Sequence, residues 1–584
     1  MATSIPTFRL ELSEGIVDID TSADRLFGYC IEANKGPVME PTYVASNAEA
    51  ERIFGVDFAP HFYQKPTGLV LCRVGFNGMA KSSITYQILK RSNPATDEST
   101  GQVLDSEKIN AIRISSIYEG NAGYKVNISR SLTSTKYYNL TITIDGVTSK
   151  KYQNLPNLES VVKRINNKFS QFLHAELLFD EKAALKLAET ECLWDNNGTA
   201  TKATTASLTN EQKAKIIVEG PVSAARLVVN KDASNNVIDT LSGGSNGKLL
   251  TTIGEVSNME IPNTGLQEGM QGTGTGDNQP NVNTTLLNAY RQAFEKMKGV
   301  DLIGIATLSK SEVVQNELID HIVEVNDPEV AQLRFGITGF LDYPEGPDDE
   351  TTVSIDSIAE KTIPIDNEMI IFIGQGVVFE RDGIQRNLYP YEAVQLYTGL
   401  RSALGYSEAI FGGEKKKVLN GVRDVLPLTT DDTIIVKEDR EQLNEAGVTT
   451  FKKEYDEVTF MEGVTTIQDH DVLSYESIMS IAVHVTKRLI RVAKPYQGQL
   501  LTEDLKATLT QALSNELKNI TDTDKTLVAI SEYNIPPYDV EVKSAAMVKF
   551  DEANNLIRES KIIITCKIVP VGALRDRDLG VIII

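Results

Sequence analysis

The sequence predicts a multidomain protein of α+β and α/β architecture: an α/β core that carries an inserted β-rich domain and extended strands at its ends. Three observations predict it. The chain has 584 residues, more than one hydrophobic core usually organises, so several folding units are expected. From Leu286 onward, helical apolar spacing alternates with short apolar runs. Strand, helix, strand with short connections implies parallel pairing through right-handed crossovers. Between residues 106 and 217, by contrast, strand signals dominate.

Residues 1–20 read as an N-terminal arm, in which Phe8, Leu10 and Leu12 alternate with Thr7, Arg9 and Glu11 until Gly15 interrupts the strand. Residues 21–105 begin the α/β core. The insert spans 106–217. Within it, Asp145-Gly146 in "YNLTITIDGVTSKKYQN" marks a hairpin turn. Leu158, Val161, Val162, Ile165 and Phe169 share one face of a helix expected to cover the sheet. The core resumes over 218–345, where the Gly- and Asn-rich stretch from 240 to 283 reads as loop. Leu286, Leu287, Tyr290, Phe294 and Met297 then define a helix, and "VDLIGIATL" a strand. Ser309 precedes Glu312 at capping-box spacing and is expected to open a helix with Val314, Leu318, Ile322 and Val325 inward. "LRFGITGF" is the next strand.

Residues 346–570 read as a C-terminal domain. It holds the buried strand "MIIFIGQGVVF", the helix "YEAVQLYTGLRSALG" and amphipathic helices at about 475–494 and 503–519, the second entered through Thr502. The strand "KIIITCKIVP" follows, alternating Ile562, Ile564, Cys566 and Ile568. Residues 571–584 are a C-terminal arm, a charged connector leading to Val581, Ile582, Ile583 and Ile584.

Composition narrows the function. With 58 basic and 80 acidic residues the net charge is -22, which repels phosphate backbones and anionic lipid surfaces, so neither nucleic acid nor membrane insertion is expected. The opening residues show no leader pattern and nothing reaches the roughly 18 apolar residues of a membrane span, which points to a cytosol-like compartment. Cys30, Cys72, Cys192 and Cys566 lack paired spacing and read as core residues. His61, His174, His321, His470 and His484 never occur at metal-ligand spacing. "GGSNGKL" resembles a phosphate loop, but Leu249 follows Lys248 where Ser or Thr would reach magnesium. "GTGTG" has no strand before it. No catalytic residue, cofactor or metal is assigned, and the expected role is non-enzymatic.

Attention therefore falls on the ends, where chains fray unless tied down. A terminal run of β-branched apolar residues is an aggregation hazard unless it docks on a sheet, either the chain's own or a neighbour's. Here the pattern resembles the contractile tail sheath proteins of bacteriophages, in segments that follow the family's order. "GYCIEANKGPVMEPTYVASNAEAERIFG" is similar to the opening strand, Gly-Pro turn and helix end; "ISSIYEGNAGYKVNISRS" to the entry into the inserted domain; "LSGGSNG" to a glycine loop. "LNEAGVTTFKKEYDEVTFMEGVTT" is similar to the stretch before the C-terminal domain, with Met461-Glu462-Gly463 standing where the family usually has a Trp-Gly-Arg flavour. "KIIITCKIVPVGALRDRDLGVIII" is similar to the closing strand, linker and terminal strand.

The resemblance implies a subunit that forms hexameric rings stacked helically around a tail tube protein, held by exchanged terminal strands. It implies baseplate and tail terminator proteins as further partners, assembly in a host cytoplasm and residence in the virion tail sheath. Contraction would drive the tube through a cell envelope for genome delivery. A sheath of a type VI secretion or tailocin-like system is the alternative, and an enzyme on the α/β region would need a titratable cluster that the sequence does not show. Within "YESIMSIAVHVTKRLIRVAK", Tyr475, Ile478, Ala482, Val485, Leu489 and Val492 form an apolar stripe. Lys487, Arg491 and Lys494 share another face with Arg488 adjacent. These cations either complement the helix dipole or meet an acidic tube surface.

Overall fold

The computed structural model describes residues 7–11, 25–76, 79–91, 106–130, 137–144, 147–178, 227–228, 237–246, 282–326, 332–343, 353–404, 408–411, 417–427, 437–468, 474–496, 502–529, 534–550 and 556–570. Its apolar strands build a seven-stranded sheet. In spatial order these are β19 (Val448–Thr449), β15 (Ile370–Ile373), β14 (Phe335–Gly339), β13 (Gly304–Ala306), β2 (Phe27–Ile31), β4 (Leu69–Arg73) and β3 (Thr42–Val44). Every pairing is parallel except that of the edge strand β3. β2, β4, β13, β14 and β15 are buried at every position, as a parallel sheet covered on both faces requires.

Successive residues of β2 show the two covers. A Cβ on Gly28 would lie 2.2 Å from Met297 of α4 (Val282–Met297). On the opposite face the Tyr29 hydroxyl shares a 2.6 Å hydrogen bond with Thr398 of α7 (Pro390–Ala403). α5 (Glu312–Val325) lies on the α4 side, where Gly336 would meet Ile322. α1 (Asn47–Phe54) and α2 (Ala59–Tyr63) join the same core. The inward positions expected of α4 and α5 are buried, apart from the half-buried Leu287. The expected capping box is not formed. Ser311 is the N-cap of α5, and Ser309 Oγ instead accepts the Ser311 N–H at 3.2 Å, closing a turn before the helix.

The insert has its own core. β5 (Met79–Arg91) pairs with β6 (Ser106–Glu119), flanked by β10 (Leu173–Leu177) and β11 (Leu227–Val228), with β12 (Ser245–Asn246) also on β5. β7 (Lys125–Arg130), β8 (Tyr138–Ile144) and β9 (Val147–Leu155) form a second sheet. α3 (Leu158–Lys168) buries Leu158, Val161 and Ile165. β8 and β9 pair around the expected turn, whose residues 145–146 lie outside the described ones. Two boundaries differ from the sequence reading: β5, assigned to the core, and β12, beyond 217, both belong to the insert's sheet. The "LSGGSNG" turn is structural, since a Cβ on Gly244 would sit 2.1 Å from the Gly120 carbonyl oxygen.

A small sheet of β16 (Val377–Arg381), β17 (Ile384–Leu388) and β18 (Val422–Val425) and the hairpin of β20 (Phe451–Glu454) and β21 (Glu457–Phe460) pack on the main core. α6 (Ile355–Ala359) and α8 (Lys437–Glu445) cover the β19 end, packing Ile358 and Leu443 on Val448. Cys30 and Cys72 are buried and free, as expected of core residues, while Cys192 lies outside the described residues.

Two outcomes are expected. A Cβ on Gly399 would meet the His61 backbone oxygen at 2.3 Å, and backbone cannot yield as a side chain does. Gly399→Ala should therefore cost about 1–3 kcal/mol in urea unfolding; a shift under about 0.5 kcal/mol would contradict the close approach of α2 and α7. Glu32 is buried with only the Tyr290 hydroxyl donating to it, at 3.1 Å, and burial pushes its carboxyl up to about 7. A raised carboxyl favours folding fully below pH about 4.5, and that contribution fades as pH rises toward 7. Glu32→Gln should remove this slope, worth on the order of 3 kcal/mol, from the stability-versus-pH curve; parallel curves for the two proteins would refute it.

Candidate assembly surface

The two ends of the chain meet in one sheet. β1 (Thr7–Glu11), β23 (Leu556–Ile568) and β22 (Tyr538–Phe550) lie in that order, all antiparallel. Phe8 is in register with Cys566 and Leu10 with Ile564. The described arm thus lies on the chain's own β23. Leu12 and the C-terminal Val581, Ile582, Ile583 and Ile584 fall outside the described residues. Beneath the sheet, Ile564, Cys566 and Ile568 alternate inward as the sequence predicted. They pack on α9 (Glu476–Ala493) and α10 (Glu503–Asn519), the latter capped by Thr502 Oγ1, which accepts the Leu505 N–H at 3.1 Å.

The edges of the two sheets contrast. The seven-stranded sheet ends in strands of three and two residues, β3 and β19, the short edges by which proteins avoid unwanted pairing. β22 is 13 residues long, and among the described residues it pairs only with β23. A long row of backbone donors and acceptors is a template for another strand.

α9 joins this terminal module to the core. The predicted stripe is buried at Ala482, Val485 and Leu489, but Met479 and Val483 are buried too, against the main core. The helix therefore has two apolar faces. At its N-terminus Glu476 pairs with Arg401 of α7 at 3.1 Å, both side chains 1% exposed. One to two turns from its C-terminus, Lys487 Nζ donates to Asp301 Oδ1 at 2.7 Å and to the Leu302 carbonyl at 2.6 Å, and Arg491 donates to Asp301 Oδ2 at 3.2 Å. The turn carrying Asp301 is itself fixed, because the buried Arg334 guanidinium caps α4 through the Met297, Lys298 and Val300 carbonyls. Burial depresses the Lys487 ammonium, and Asp301 opposes that shift.

The four candidate tube-facing cations are thus placed by internal partners. Lys487 is 6% exposed and is not a surface cation. Arg491 shares Asp301 with it. Arg488 bonds Glu516 of α10 at 2.6 Å and faces Asp524, which also meets His484 at 3.2 Å. Lys494 is the C-cap residue of α9. Helical spacing puts Lys487 and Arg491 on one face but gives no sign of Asp301, which is 186 residues away from Lys487 in sequence.

No family model matches the sequence, and no curated protein matches it. The fold is matched by solved structures. The sheath tail protein from Desulfitobacterium hafniense aligns over 94% of this chain and 99% of its own, with a TM-score of 0.52 at 10% identity. The sheath tail protein from Listeria innocua aligns over 93% and 96%, with a TM-score of 0.46 at 10% identity. The helical sheath of the anti-feeding prophage in its contracted state covers 51% of this chain and 74% of its own at 0.34 and 14%. The chain has the fold of a sheath tail protein.

Asp301→Asn should destabilise the protein by about 3–5 kcal/mol, because it strands Lys487 in a buried site. The double variant Asp301→Leu with Lys487→Met should recover most of that loss. A single-variant cost of only about 0–1 kcal/mol in urea unfolding, the range of exposed pairs, would show that the pair does not hold α9.

Proposed function

We propose that this protein is the structural, non-catalytic subunit of a contractile sheath, polymerising helically around a tube and contracting to drive that tube through a cell envelope, as in a phage tail. The observation that carries the reading is the long β22 edge on a terminal module pinned to the core, set on the fold of a sheath tail protein. Residues 12–24 separate β1 from the first described residue of the core. Extended, such a segment reaches about 45 Å. The β1 strand of a neighbouring subunit can then take the same register on β23, and a C-terminal strand carrying Val581, Ile582, Ile583 and Ile584 can add at β22.

Each joint of this kind is near balance. A strand of β1 length gains roughly 0.5–1.5 kcal/mol per hydrogen bond and about 1.5–3 kcal/mol per buried Ile or Val, against roughly 1–2 kcal/mol per residue ordered. Single joints are weak and the lattice is cooperative. Contraction on this reading is rigid-body repacking with the joints kept, so hexameric ring stacking, the tube, and the baseplate and terminator contacts belong to the same proposal. Arg488 and Lys494, rather than the buried Lys487, are the cations of α9 proposed to approach the tube.

The purified protein should form helical tubes in electron micrographs. Deleting residues 579–584 should leave the circular dichroism and Tm of the subunit essentially unchanged while abolishing tubes; deleting residues 1–12, which also takes β1 off β23, should abolish tubes with a lowered Tm. Normal tubes from both truncations would refute strand exchange. Only compact particles from the intact chain would refute the sheath.

A further inference from the structure

The charge of this chain is unevenly placed. Across 106–178 the insert carries ten Lys and Arg against five Asp and Glu, a net +5 in a chain of net -22. Part of this excess lies around Tyr152 and α3. Arg164 lies 4.8 Å above the Tyr152 ring, which meets Phe169 edge-on at 6.3 Å. Lys150, two residues before Tyr152 in β9, shares its side of the strand and is exposed, as is Lys168, one helical turn after Arg164 in α3.

A complementary region covers the β19 end of the main sheet. Residues 353–368 with 437–445, which hold α6 and α8, contain eight Asp and Glu against three Lys and Arg, a net -5. Gln442 Nε2 donates to Asp356 Oδ1 at 2.9 Å and ties the two helices into one surface. Glu360, Glu438 and Glu445 are exposed on it, and Ile363 stands among them at 58% exposure.

The two faces are attached to different strands of the main sheet. The insert springs from β4, and the acidic surface covers β19, five strand spacings away in the same sheet, or about 24 Å. We propose that the basic face of the insert docks on the α6–α8 surface of a second copy of this chain. Because the faces differ, the contact is head-to-tail and propagates instead of closing on a dimer. Exposed Ile363 supplies an apolar centre, and the charges set orientation and salt dependence. The contact goes beyond strand exchange, and its lattice role rests on the sheath reading.

Charge reversal tests it with the full chain. Variant one carries Lys150→Glu and Lys168→Glu; variant two carries Glu360→Lys, Glu438→Lys and Glu445→Lys. In sedimentation velocity at low salt, each alone should self-associate about tenfold more weakly than wild type. An equimolar mixture should recover association, because one partner then presents two acidic faces and the other two basic ones. Carbodiimide coupling of a mixed isotopic sample should link Lys150 or Lys168 of one copy to Glu360, Glu438 or Glu445 of another. Wild-type association by both variants, or an unrestored mixture, overturns the proposal. So does retention of wild type on heparin without copy-to-copy links, which assigns the basic face to a polyanion. Tubes from every variant sink this contact and leave the sheath reading intact. Restored, salt-sensitive oligomers that never form tubes sink the sheath reading and leave this contact standing.

Discussion

The arrangement of the molecule depends on one buried carboxylate. Asp301 receives Lys487 and Arg491 from α9, on a turn whose carbonyls Arg334 holds in place. A buried ion pair of this kind adds little net stability over an apolar replacement, but it strands charge when its partners are separated. It therefore acts on geometry more than on total stability. With Arg401–Glu476 at the other end of the helix, it fixes α9 at two points against the core, so the terminal sheet has a defined orientation relative to the seven-stranded one.

That rigidity gives the proposed joints their mechanical meaning. A strand added to β22 or β23 pulls on a sheet whose other face is α9 and α10, and α9 hands the load to α7 and to the turn before β13. On the proposed strand exchange, force arriving at the chain ends would be delivered to the centre of the parallel sheet, where β13 and β2 are buried throughout.

Much of the fold was legible in the sequence because its signals are local. The inward residues of α4 and α5, the Thr502 cap and the alternation of Ile564, Cys566 and Ile568 follow from periodicity and capping chemistry alone. What periodicity cannot carry is pairing between distant segments. β5 was placed with the core because no local pattern says that Met79–Arg91 pairs with β6 rather than β4. Ser309 had the spacing of a cap, but Ser311 held the N-cap position and Ser309 was used in the preceding turn. The spacing of Lys487 and Arg491 puts them on one face of α9, but nothing local points to their shared partner Asp301, which belongs to a different domain of the sequence reading. The residues that hold the candidate site together were the least visible, since each is defined by a long-range partner.

The insert enters and leaves the core through one doorway. Met79 and Ala80 at the start of β5 are register partners of Asn246 and Ser245 in β12, which puts the two crossing strands about 5 Å apart. The described residues between them have a hydrophobic core separate from the main one. Such a junction makes the chain modular in descent as well as in form. The domain between these residues can change size, be replaced or be traded among lineages while the parallel sheet and its terminal module keep their shape, so its surface is free to diversify at a different pace from the rest of the molecule.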